Sequence, residues 1–166
     1  MKIKILLLFL ILSVGACTTN SHSADSHDTQ QWQQTIMQLN TLLKERKHQA
    51  AIDETRQKMT ELLTLTGSTE PKDTLVKYAR QILSLSYFSY LASKQFRPGT
   101  EYLDSLSSNP FLQQYCMHEL LSTRAGLHQM QGNNRIAIQL ADEYMQLPEY
   151  DDANRYIPQA EGMSMK

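Results

Sequence analysis

Cysteine is nearly missing from this chain: of 166 residues only Cys17 and Cys116 carry a thiol. Two are too few for a disulfide framework, so the fold must be held by its core. A basic face is missing as well. The 16 basic residues are balanced by 17 acidic ones for a formal charge of −1, and the clustered positive surface that nucleic-acid binding requires is not there. No apolar run reaches the roughly 20 residues a membrane-spanning helix needs. The local signatures of catalysis are also missing: the chain has no Gly-x-Ser-x-Gly elbow, no phosphate-binding glycine loop and no paired Cys-x-x-Cys. His118-Glu119-Leu120-Leu121-Ser122 opens like the helical zinc-protease motif but ends on serine, and a one-ligand site holds no zinc.

What is present begins at the first residues. Lys2 and Lys4 form a positive segment, Ile5 to Leu12 an apolar one, and Val14-Gly15-Ala16-Cys17 follows. Small residues before a cysteine at the end of such a run resemble a bacterial lipoprotein signal. The resemblance implies removal of residues 1–16 and acylation of Cys17 with chains such as palmitate. Several chains anchor a protein firmly, whereas one holds only marginally. It implies an exported, lipid-anchored protein of the cell envelope, and Thr18 after the cysteine resembles outer-membrane sorting. An ordinary secretory peptide is the alternative, since Val14 and Ala16 also suit conventional cleavage; it would leave Cys17 a free thiol. Removing residues 1–16 takes two lysines and no acid, shifting the formal charge from −1 to −3.

Residues 17–29 are read as a flexible tether, because Thr18 to Thr29 offers almost nothing to bury. His22, Asp25, His27 and Asp28 carry metal-ligand chemistry, but a polar tract does not preorganise them, and the solvated reading stands. No metal or cofactor is expected.

From Gln30 on, the period is helical. Trp32, Ile36, Leu39, Leu42 and Leu43, then Ala51, Ile52, Met59, Leu62 and Leu63, recur at three- and four-residue steps around a polar break. Gly67 to Pro71 marks a loop, with Pro71 suited to the first turn of the next helix. Leu75 to Leu91 is apolar on so many sides that it should form the centre of the core. Leu83, Tyr90, Lys94, Gly99, Leu106 and Pro110 recur as Leu121, His128, Gly132, Ala137, Tyr144 and Pro148 at a constant offset of 38 residues. A fixed period of that size marks stacked helical hairpins. The expectation is an all-α, right-handed stack of antiparallel hairpins over residues 30–166, at about 30–65, 72–108 and 111–147. Helices are expected near 30–46, 48–65, 72–94, 98–108, 111–131 and 133–147. A short helix at about 150–157 should cap the last hairpin.

The unit from Leu121 to Pro148 resembles the tetratricopeptide repeat, with Leu121, Ala125, His128, Gly132, Ala137 and Pro148 at or near that family's large, small, aromatic, glycine, alanine and proline positions. Ala141 and Tyr144 depart from it by exchanging large and small, and the unit is longer than usual. The combination is similar to lipidated repeat domains of Bacteroidetes, some of which are the sensory halves of regulators. No transmembrane, kinase or DNA-binding segment of such a regulator is seen up to Lys166. The resemblance implies a concave surface lined by the first helix of each hairpin, here Gln81, Ser84, Phe88 and Leu91, then Glu119, Ser122, Gly126 and Gln129. It lacks the lysine and asparagine set with which some members clamp a carboxyl terminus. The function expected is a non-enzymatic scaffold or sensory domain that binds another envelope protein or peptide. The alternative is an envelope enzyme, for which His48, His118, His128 and Cys116 are the available groups; His128 and Cys116 read first as packed residues.

Overall fold

The computed structural model describes residues 25–67 and 72–148. Within them every regular element is a helix: α1 (Asp25–Lys44), α2 (His48–Leu65), α3 (Lys72–Ser93), α4 (Phe96–Leu106), α5 (Pro110–Tyr115), α6 (Met117–Gln131) and α7 (Asn134–Met145). No strand occurs among the described residues. Cys17, the leader, Pro71 and the capping helix expected at 150–157 lie outside them.

Three of the helix-to-helix turns are one structure built three times. Arg46, Lys94 and Gly132 each adopt a left-handed conformation, with φ of 58°, 58° and 87°. At each, the next N–H closes a six-residue loop onto the preceding helix: Lys47 to the Leu42 carbonyl at 2.9 Å, Gln95 to Tyr90 at 3.0 Å, and Asn133 to His128 at 2.8 Å. This pairing satisfies carbonyls that a helix end leaves open, and a left-handed residue makes it possible. Five residues further on stand Ala51, Gly99 and Ala137, all buried. Small side chains there let the second helix settle against the first. At Gly99 even a Cβ would not fit, since it would lie 2.7 Å from Leu127 Cδ1 and 2.8 Å from Tyr90 Cγ. The offset of 38 residues thus relates Lys94 to Gly132 and Gly99 to Ala137 in space as well as in sequence.

Two expectations change. The helix expected over 111–131 is two helices, broken at Cys116 where φ is −130° and ψ is 21°. Pro110 opens α5, and the Asn109 side chain accepts the Leu112 N–H at 3.1 Å. At its other end the guanidinium of Arg80, on α3, donates to the Tyr115 carbonyl from Nε at 3.2 Å and from an Nη at 2.8 Å. That carbonyl takes a partner 35 residues away in place of continuing the helical ladder, and the break lets Leu112 and Cys116 both bury completely. The second change is at the start: α1 begins at Asp25, so the last five residues of the expected tether are helical.

The centre of the core is α3, which packs on α1 and α2 on one side and on α4 and α6 on the other. Its Tyr78 stacks on Trp32 with centroids 5.7 Å apart. Ile82, Leu83 and Tyr90 join Met59, Leu62, Leu103, Leu112, Leu120 and Leu127 in one continuous cluster. Each such aliphatic side chain, fully withdrawn from water, contributes about 1.5–3 kcal/mol. Among the described residues no helix is long and apolar enough to cross a membrane.

Candidate partner-binding surface

The helix α3 contacts both α1 and α6. Gln81, Ser84, Phe88 and Leu91 are half-buried on α3, while Ser122 and Gln129 are exposed on α6. Phe88 meets the Tyr87 ring edge-to-face at 5.3 Å, a geometry aromatic pairs prefer. Neighbouring Tyr87 fixes that ring, and burial raises the Tyr87 phenol above its ordinary pKa.

Two of the expected groove residues are engaged between helices. A Cβ at Gly126 would stand 2.8 Å from Cε2 of Tyr87, so Gly126 forms the seat on which the Tyr87 ring rests. Glu119 faces Arg80 at 3.5 Å, and both side chains are mostly buried. Burial raises the Glu119 carboxyl while the Arg80 charge pulls the other way. Ser122 donates its hydroxyl back to the Glu119 carbonyl at 3.1 Å.

The four groups with catalytic chemistry named from the sequence sit in different surroundings. Cys116 is buried in the core cluster. Burial first, then the Glu119 charge, push its thiol up to about 12 against the pull of Arg80, so it stays neutral and unreactive at ordinary pH. His118 lies edge-on to Tyr144 at 5.5 Å, and His48 opens α2. His128 belongs to a polar cluster that joins α4 to α6. Asp104 accepts Arg124 Nε at 2.7 Å and lies 3.2 Å from His128 Nε2. His128 Nδ1 lies 3.3 Å from the Asn133 amide nitrogen, a group that can only donate there, and Nε2 faces the carboxylate. The Asn133 amide also reaches Gln131 Oε1 at 3.2 Å, and Thr100 donates to that same oxygen at 2.9 Å. Every member is used internally, which makes the cluster a clamp between hairpins. Among the described residues no group of three or more His, Cys, Asp or Glu could hold a metal ion. Asp25, His27 and Asp28 enter the backbone of α1, and His22 lies outside the described residues.

Reading the sequence alone missed Asp104 and Arg80. A charge in the middle of the most apolar helix was the available signal for Arg80. For the cluster it was Arg124 and His128, four apart and therefore on one face of α6. No protein-family model, curated protein or solved structure matches the chain.

Proposed function

We propose that the chain is a membrane-anchored, non-enzymatic binding module of the bacterial envelope, built as a right-handed tetratricopeptide-like stack and tethered through lipid on Cys17. The observation that carries the binding reading lies on α3 and α6. Phe88 is half-exposed on α3 against the Tyr87 ring, with Gln81 and Ser84 on the same stripe of that helix, and Ser122 and Gln129 are exposed on α6. A rigid aromatic on an uncharged polar surface can bury a large area against a peptide at little entropic cost. Stacked hairpins present such a face along their concave side. The repeated turn supports the stack, and the Val-Gly-Ala-Cys order of residues 14–17 supports the anchor. The separate structural duties of His118, His128 and Cys116 favour the scaffold over the enzyme.

The test pairs capture with stability. The chain from residue 17 on, and its Phe88→Ala variant, are used as bait for envelope proteins. A protein retained by the parent and lost by the variant, at an unchanged melting temperature, supports the groove. Equal retention, or a drop of several degrees in melting temperature with no binding defect, makes Phe88 a packing residue and removes the reading. Mass spectrometry of the native N-terminal peptide decides the anchor: an unmodified Cys17 rejects it.

A further inference from the structure

The repeated turn supplies a register for comparing hairpins. Counted from Arg46, Lys94 and Gly132, the α7 residues Ile138, Ala141 and Met145 occupy the places of Ile52, Thr55 and Met59 on α2 and of Thr100 and Leu103 on α4 with Ser107 at its C-terminal cap. On α2 and α4 these places are covered, by α3 and α6 respectively, and five of the six residues are buried. On α7 the same stripe is open among the described residues, with Ile138 62 % and Met145 79 % exposed.

The other end of the stack is finished differently. On α1 the places that α3 fills with Ile82, Ser86 and Ser89, and α6 with Leu120, Arg124 and Leu127, hold the exposed Gln34, Gln38 and Thr41. Of the outward apolar side chains there, only Met37 is large and exposed. A polar outer face is what a terminal hairpin needs to meet water. The α1 end therefore suits solvent, and the α7 end suits a cover. This asymmetry excludes head-to-tail growth, which would set the apolar stripe against glutamines.

The stripe complements itself. Ile138 and Ala141, large and small one turn apart, would interlock with Ala141 and Ile138 of an antiparallel copy. Arg135 and Asp142 are both exposed and seven residues apart, so they share one rim of α7. In the same antiparallel pair each would face its opposite in the other copy. Asp142 also has a precedent: it occupies the place of Asp104, which takes Arg124 and His128 from the helix that covers α4. We propose that α7 is the contact surface of a two-fold dimer, in which Ile138, Ala141 and Met145 pack against a second copy and Arg135 pairs with Asp142 across the axis. This surface is separate from the groove and does not depend on it.

One helix of 12 residues gives a contact below the standard interface size, so association is weak and is read by sedimentation from about 10 µM to about 1 mM. The chain from residue 17 on, with Cys17→Ser and under reducing conditions, excludes association through lipid or disulfide. Expected is a concentration-dependent dimer that Ile138→Asp weakens about tenfold or more and Met37→Asp leaves unchanged. Arg135→Glu and Asp142→Arg should each weaken it several-fold. Because a two-fold axis brings position 135 to 142 twice, an equimolar mixture of these two variants should pair again. A parent that stays monomeric throughout, a mixture no better than its components, or loss of association in Met37→Asp each overturns the proposal. So does a monomer whose melting temperature Ile138→Asp lowers by several degrees, since the stripe would then be covered within its own chain.

Discussion

Gly132→Ala should cost about 1 kcal/mol of stability, while Lys94→Gly, at the same place in the preceding turn, should add about 0.5–1 kcal/mol. Gly132 has φ of 87°, and a Cβ built on it meets nothing within 4 Å. The effect is therefore one of backbone conformation alone. A side chain in the left-handed region costs about 1–2 kcal/mol, and alanine recovers part of that by restricting the unfolded chain. Lys94 already bears the conformational cost at φ 58°, so glycine relieves it and returns a little as unfolded-state entropy. Gly67→Ala is the control: its φ is not positive and nothing lies within 4 Å of the added carbon, so the change should be neutral or slightly stabilising. Urea unfolding reads the set. With a slope of about 2 kcal/mol per molar, Gly132→Ala should lower the midpoint by about 0.5 M and Lys94→Gly raise it by about 0.25–0.5 M at constant slope. Movement in the same direction, or none, would mean that the three turns do not share the conformation on which the repeat rests.

Gly99→Ala should destabilise by about 1–2 kcal/mol despite the better helix propensity of alanine. The new carbon meets Tyr90 at the root of its ring, 2.8 Å away, and Tyr90 is fully buried and cannot move aside; a neutral result in thermal melts would contradict that packing. Arg80→Ala should cost about 1.5–3 kcal/mol by removing a charged donor from the Tyr115 carbonyl, with Arg80→Lys recovering only part because one ammonium cannot place two N–H groups on one side of that oxygen; equal loss of nothing in both would leave the break at Cys116 without its cause. Native Cys116 should resist a thiol reagent at pH 8 and react in urea. Raising the pH through the ordinary thiol range should also lower the urea midpoint, because the unfolded thiol ionises from about 9 while the folded one, pushed up to about 12 chiefly by burial, stays protonated. Cys116→Ala should flatten the first part of that decline, and an unaltered profile would place the thiol in a wetter site.

The hairpins were legible because their information is local. Lys94 with Gly99 and Gly132 with Ala137 recur at one offset in the chain, which needs no knowledge of contacts; that both turn residues are left-handed is visible only in the structure. The start of α1 was hidden by composition: Asp25 to Gln30 offers little to bury, so its helicity leaves no apolar period to read. The interruption at Cys116 was hidden by distance. Residues 111–131 keep a helical period across it, and the event that selects the break is a guanidinium arriving from 35 residues upstream. The same holds for Gly126 on α6, where the Tyr87 ring arrives from α3. Asp104 shows the sharper case. Its partners Arg124 and His128 lie 20 and 24 residues away, a separation set only once α4 packs on α6. Charges that serve one hairpin against the next are thus invisible to periodicity: Asp104 is met from within the chain by Arg124 and His128, whereas Asp142, at the same place on α7, is exposed to water.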